Sequence, residues 1–454
     1  MNQKYKALLS SMGVHIPEIL MPNTEDMSKW AVVACDQYTS EPDYWENVSN
    51  FVNGSPSTLP IIFPEVYLEN GNADDRINEI NNKMQRYLEE GILKSINDCL
   101  VLVDRKTTHT DSRKGLVVAL DLDCYDYTRG CDALIRATEG TVIERLPPRI
   151  KIRQNATIEL PHIMVLIDDP KKKVIEPLFD KLDQFEKLYD FELMMNSGHI
   201  KGYKICDENS LNQIAESLNA LCDKKDFSSK YCISENSSLL LFAVGDGNHS
   251  LASAKGHWEN VKVGLSEEQK LCHPARYALV ELVNVHDDGL VFEPIHRVLF
   301  NVNADDLIQE FKNFYKNINY ISSHNECAVT KAPEISSVSC ANNTTEHTFR
   351  YITSKGEANV TIEYPVNNLH VGTLQVFLDS YIKQHPEVKI DYIHGEDVVT
   401  KLGSLPGNMG FYLPAMDKMD LFKTVILDGA LPRKTFSMGE ADEKRFYLEC
   451  RKIK

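Results

Sequence analysis

The sequence has no apolar run near the roughly eighteen residues that a membrane-spanning helix needs. Its opening, MNQKYKALLSSMG, also lacks the apolar segment of a secretory signal. A cytoplasmic location without membrane partners is the expectation. Basic charge is scarce: 49 Lys and Arg stand against 66 Asp and Glu, a net charge of −17. That balance argues against a nucleic-acid backbone as the main partner, which would require a basic face. Eleven cysteines include no CxxC pair, which removes the zinc-knuckle and thioredoxin-type motifs. Fourteen histidines include no HExxH, so a zincin motif is absent too. There is no Walker Gly-Lys-Ser/Thr, no GxGxxG fingerprint and no internal repeat.

What remains is the composition of an ordinary globular protein, 43 % hydrophobic and 25 % charged over 454 residues. That length predicts two or three domains. The expected divisions are an N-terminal α/β region at 1–130, a central region at 131–300 and a C-terminal α+β region at 301–454. Strands are expected at 30–35, 100–105, 115–122 and 163–167, and helices at 77–90, 175–188 and 210–221. Residues 305–315 and 370–384 also read as helical. Residues 349–353 and 360–364 read as a hairpin, and the Ser-, Asn- and Thr-rich stretch 322–348 as a surface excursion. Strands alternating with helices indicate an α/β to mixed α+β fold.

The most informative segment is 239–261, LLLFAVGDGNHSLASAKGHWENV. A short apolar run ends at a Gly-rich break and an Ala-containing helical stretch follows, so Asp246, Asn248, His249 and Ser250 fall on a strand-to-helix turn. Backbone N–H groups and the positive end of the helix dipole suit a phosphate there. Gly245 and Gly247 would let the backbone approach it. Asp-Gly-Asn is equally a good turn sequence, and residues 248–250 would serve as a simple helix cap. A turn alone has no use for the flanking Asp246 and His249, both able to move protons.

A second cluster lies at 133–170. Glu139 sits in Thr-Glu-Gly-Thr, followed by Arg145, Arg149, Lys151 and Arg153. This local excess of cations is either a solvated face or a clamp for an anion. Arg297 follows His296 at a strand end. Arg433 and Lys434, beside Thr435 and Ser437, form either a surface loop or an anion nest. Asp36 and Tyr38 follow an apolar strand and are candidates to line a substrate cleft.

These landmarks carry a family resemblance. RKGLVVALDLDCYDY at 113–127, Glu139 to Thr141, Arg149 to Asn155, the DGNHS loop, PIHRVL at 294–299 and LPRKTF at 431–436 occur in order. In these the chain resembles the bacterial and archaeal family called domain of unknown function 1015. The loop also resembles those of ParB-like and sulfiredoxin-like nucleotide-binding folds, including ADP-dependent free serine kinases. The family's usual Asp-Gly-His-His-Arg is here Asp-Gly-Asn-His-Ser, so a His and an Arg are replaced by Asn248 and Ser250.

The resemblance implies a ParB/sulfiredoxin-like core inside a larger fold. It also implies phosphoryl transfer, as kinase or phosphatase, between a nucleotide or phosphate ester and a small hydroxylated metabolite such as serine or phosphoserine. In that scheme Gly245 to Ser250 cradle phosphate, and Asp246 holds Mg²⁺ or orients the nucleophile. Glu139 is the general base, His249 a proton carrier, and Arg149, Arg297, Arg433 and Lys434 neutralise charge. The alternative is a regulatory protein that binds a nucleotide without turnover.

Overall fold

The computed structural model describes residues 4–24, 26–39, 41–68, 73–324, 346–365, 367 and 369–454. Ser40 and most of the expected surface excursion at 322–348 lie outside the described residues. The fold is mixed α/β, and the chain divides into two compact units. The first comprises Met1–Ser228, Glu235–Val291 and Met438–Lys454, and the second Ser229–Ser234 and Phe292–Ser437.

In the first unit ten strands form one sheet: β1 (Val14–His15), β2 (Leu100–Lys106), β3 (Arg113–Asp121), β4 (Tyr125–Asp126), β5 (Ile135–Ala137), β6 (Met164–Ile167), β7 (Glu186–Glu192), β8 (His199–Ile205), β9 (Phe242–Asp246) and β10 (Tyr277–Asn284). Their order is β7-β8-β2-β3-β10-β6-β9-β5-β4, with β1 paired to β3. Strand β6 runs parallel to β10 and antiparallel to β9, which in turn runs parallel to β5. The sheet draws strands from both sides of residue 130, so segments 1–130 and 131–300 supply one sheet rather than two domains.

Successive side chains of a strand point to opposite faces, and here both faces are apolar. Val101, Val103, Val117 and Leu279 enter one core, while Leu100, Leu102, Leu116, Val118 and Val280 enter the other. A sheet covered on both faces explains why its strands read as continuous apolar runs. The covering helices used below are α1 (Ala73–Glu89), α2 (Leu146–Gln154), α3 (Glu208–Ala220) and α4 (Asn248–Lys262). Helix α3 starts where Asp207 accepts from the Ser210 N–H at 2.8 Å, an N-cap.

Two local expectations are corrected. Residues 175–188 do not form one amphipathic helix: a 3-10 segment, Glu176–Gln184, is broken at Lys181 and followed by β7. Strand β7 pairs along its length with β8, and that cross-strand pairing overrides the local helical pattern. The expected strand at 30–35 shrinks to Val32–Val33, paired with Phe446–Tyr447 from the C-terminal segment.

The second unit holds an antiparallel sheet of β11 (His296–Phe300), β12 (Glu346–Thr353), β13 (Gly356–Glu363), β14 (Lys389–Ile393) and β15 (Asn408–Tyr412), in the order β13-β12-β15-β11-β14. The expected hairpin turns at Ser354 and Lys355. Helices α5 (Ala304–His324) and α6 (His370–Gln384) cover it, with Phe311 stacked on Phe377 at 4.6 Å between ring centroids.

Candidate functional site

Strand β9 ends at Asp246 and α4 begins at Asn248, so the Gly-Asp-Gly-Asn-His-Ser run forms a strand-to-helix turn at the carboxyl end of a strand interior to the sheet. Phe242, Ala243 and Val244 are fully buried. Gly247 is the N-cap, at φ +78°, and offers no capping side chain. A Cβ there would lie 3.0 Å from Ile163 Cγ1 and 3.1 Å from Ile163 Cα. Backbone conformation and packing therefore demand this glycine, independently of any ligand. Gly247→Ala is expected to destabilise the first unit by about 1–3 kcal/mol, the cost of a strained backbone site. Urea unfolding checks this, and an unchanged midpoint would show that the turn relaxes freely. Gly245 is likewise a packing glycine, because a Cβ would meet Leu166 and Met438 at 2.9 Å.

The segment after β5 is fastened to this turn at two points. The Thr138 N–H donates to Asn248 Oδ1 at 3.3 Å and its hydroxyl donates to Val244 O at 2.6 Å. The Val142 N–H donates to His249 Nε2 at 3.3 Å. Glu139 lies between these anchors, half-buried. Asn248 also donates from Nδ2 to Val244 O. Its amide is thus engaged within the protein at both ends, which latches the turn.

Strand β6 sets the other wall. Met164 is opposite Asp246 in the antiparallel register, which carries Ile163 past Gly247 and His162 to the first turn of α4. There His162 Nε2 lies 2.8 Å from Ser250 Oγ. The Ser250 hydroxyl, expected to bind phosphate, is engaged with this imidazole. The His162 ring stands edge-on to Tyr447, with centroids 5.3 Å apart.

Asp246 is ion-paired with Lys444 at 3.2 Å and accepts from the Gly247 N–H at 2.9 Å. Burial pushes its carboxyl up, but the Lys444 ammonium, His162 and the Gly247 N–H outweigh burial and hold it below the ordinary carboxylate range. A carboxylate with a depressed pKa contributes stability that is present above its unfolded-state value and is lost as pH falls through the lower folded value. This contact therefore persists through neutral and mildly acidic pH.

Beside the loop is a cavity of about 160 Å³, whose wall includes Cys35, Glu65, Arg149, His162, Ser250 and Tyr447. Arg149 projects from α2 and is ion-paired with Glu65, each side chain about one-fifth exposed. Helix α2 packs closely on α4 at Gly256, where a Cβ would lie 2.7 Å from Ile150 Cδ1. Tyr447 donates to Cys35 Sγ at 3.0 Å. Burial, with Asp36 adding to it, pushes the Cys35 thiol up to about 12. At pH 8 iodoacetamide is expected to label exposed Cys206 and Cys272 well before Cys35. Mass-spectrometric peptide mapping tests the order, and early labelling of Cys35 would contradict a half-buried thiol held neutral at that pH.

Other candidate residues have partners of their own. Arg297 is a core cation of the second unit, where it donates to Gln375 Oε1 at 3.0 Å and to Arg433 O at 3.3 Å. Its guanidinium covers the Tyr392 ring at 4.7 Å. His296 is buried beside it and accepts from the Leu413 N–H. Arg433 and Lys434 also belong to the second unit, both exposed, with Arg433 donating to the Tyr392 hydroxyl. Tyr38 stacks on Tyr44 at 3.7 Å rather than entering the cavity wall, whereas Asp36 directly follows the cavity residue Cys35.

Among the described residues no group of three or more His, Cys, Asp or Glu is arranged to hold a metal ion. Asp246, the expected Mg²⁺ ligand, already has an ammonium on one oxygen and an amide N–H on the other. This donor set does not fit a resident metal. Among the described residues, no helix is long and apolar enough to cross a membrane.

Sequence reasoning missed His162, Glu65, Lys444 and Tyr447. The only local signal was a histidine directly ahead of the apolar run of β6. Lys444 and Tyr447 reach the site through the returning C-terminal segment. Arg105 and Arg113 hold that segment by donating to the Asp442 and Glu443 carbonyls.

The model of the family described as protein of unknown function (DUF1015) matches residues 18–381. The chain belongs to the DUF1015 family. The matched range covers most of the chain and includes the DGNHS loop, while LPRKTF at 431–436 falls beyond it. No curated protein matches the sequence. Among solved structures, a conserved hypothetical protein from Pyrococcus furiosus is 11% identical, with 74% of this chain and 95% of that chain covered and a TM-score of 0.32. A free serine kinase variant in complex with ADP is 10% identical, with 77% and 96% covered and a TM-score of 0.37. SbnI with a C-terminal truncation, from Staphylococcus aureus, is 9% identical, with 73% and 82% covered and a TM-score of 0.31. At these scores no residue role is carried from those proteins to this DUF1015 member.

Proposed function

We propose that the first unit binds a nucleotide or phosphate ester at the 245–250 turn and transfers its phosphoryl group to a small hydroxylated metabolite. Serine is the acceptor implied by the family resemblance. The observation that carries the reading is the double fastening of residues 138–142 onto Asn248 and His249. It keeps Glu139 beside a helix start that has no capping side chain. Backbone donors at such a start favour an anion, and a carboxylate nearby is what an acceptor hydroxyl needs as a base.

In this scheme Arg149 and Lys444 replace Arg297 as the cations that neutralise charge. Both are now paired with carboxylates, Glu65 and Asp246, so an incoming phosphate would share them. Glu139 accepts the proton of the acceptor hydroxyl. No step is routed through a metal ion.

Thermal-shift measurements with ADP, ATP, AMP and phosphoserine, followed by product analysis with serine, test the reading. It requires a rise in melting temperature with at least one phosphorylated ligand and transfer to serine or another small alcohol. Binding without any transfer would favour a nucleotide-responsive regulatory protein, and no binding would reject the phosphate site.

A further inference from the structure

Ser250 and His162 have the arrangement of a nucleophile and its base. The hydroxyl and Nε2 are 2.8 Å apart, within reach for direct proton transfer. Both side chains line the cavity of about 160 Å³, the share of liquid volume taken by roughly five water molecules. A phosphoryl group can therefore stand against Oγ. The Tyr447 ring fixes the imidazole plane from one side. Asp246 lies close enough to His162 for the two to interact electrostatically. Arg149 on the same wall offers a cation to the phosphoryl oxygens.

We infer that Ser250 is a covalent nucleophile, activated by His162, that carries the phosphoryl group between a phosphoanhydride donor and the acceptor. This rests on the phosphoryl-transfer reading above and adds an intermediate to it. In the first half the Ser250 proton passes to His162 Nε2. An Oγ–P bond forms, the bridging P–O bond of the donor breaks, and the shortened donor leaves as an anion. In the second half the acceptor hydroxyl loses its proton to Glu139 and attacks phosphorus. The Oγ–P bond breaks, and Ser250 recovers its proton from His162. No electrons are gained or lost overall, and the net proton goes from the acceptor to Glu139.

The full-length protein is mixed with ATP or ADP labelled in the terminal phosphate, without acceptor, and quenched after single-turnover times. Acid-stable, alkali-labile label is expected on Ser250, located by tandem mass spectrometry. Adding acceptor should discharge it. Ser250→Ala should abolish labelling, with donor occupancy measured alongside by calorimetry. His162→Gln should slow labelling by roughly 10²–10⁴-fold, the usual contribution of a positioned base. Donor binding and transfer without phosphoserine, or normal turnover by Ser250→Ala, would overturn the intermediate and leave direct transfer standing. Label on another residue would overturn it too. Absence of donor binding to the wild type would remove both the intermediate and the phosphate site.

Discussion

Arg445→Ala is expected to lower the stability of the first unit by about 3–5 kcal/mol, the usual effect of removing one partner from a buried ion pair. The Arg445 guanidinium is ion-paired with Glu281 and with Glu449, the latter at 2.6 Å, and all three side chains are at most 2% exposed. Tyr189 donates its hydroxyl to Glu449 at 2.6 Å. Truncating the arginine leaves two buried carboxylates, with Tyr189 still donating to Glu449 and Arg105 still a cation near Glu281. Glu281 packs directly over Gly115, where a Cβ would lie 2.2 Å from its Oε1. Urea unfolding followed by a probe within the first unit measures the loss, and a change below about 1 kcal/mol would contradict it. The network also has a functional consequence. Arg445 is flanked by Lys444 and stands two residues before Tyr447, so the same variant should lose ligand binding.

Glu139→Gln is expected to lower turnover by roughly 10²–10⁴-fold while ligand affinity stays within a few-fold of wild type, as for loss of a general base. Glutamine retains the shape of the side chain, and the anchors on either side are a backbone N–H with a hydroxyl at Thr138 and a backbone N–H at Val142. None of these depends on the carboxylate. Single-turnover transfer rates with parallel calorimetry separate the two quantities. Unchanged turnover would remove Glu139 from the chemistry, and an equal loss of binding would make it a structural residue.

The turn itself was legible because its information is local. A buried apolar run, a glycine at a left-handed position and a helix-forming stretch lie consecutively in 239–261. The strands at 100–105 and 115–122 were legible for a similar reason, since burial on both faces leaves an uninterrupted apolar signature. Residues 175–188 were misread because pairing with β8, settled by residues 199–205, competes with a local helical period. The burial of Arg297 was not legible because it is decided by Gln375 and Tyr392, about eighty and ninety-five residues further on. His162 reaches Ser250 only through the register of β6 on β9, and Lys444 reaches Asp246 only through the return of the C-terminal segment. Both depend on sheet order, which periodicity in one segment does not encode.

Hydrogen–deuterium exchange of the full chain with and without ADP tests the central claim most directly. If the 245–250 turn holds phosphate, saturating ADP should slow exchange in peptides covering 245–252, where the first-turn amides of α4 would donate to the ligand, and in those covering 138–142. Peptides from the second-unit strand β11, which contains Arg297, should be unchanged. Protection confined to the second unit, or bound ADP with no protection at 245–252, would contradict the account.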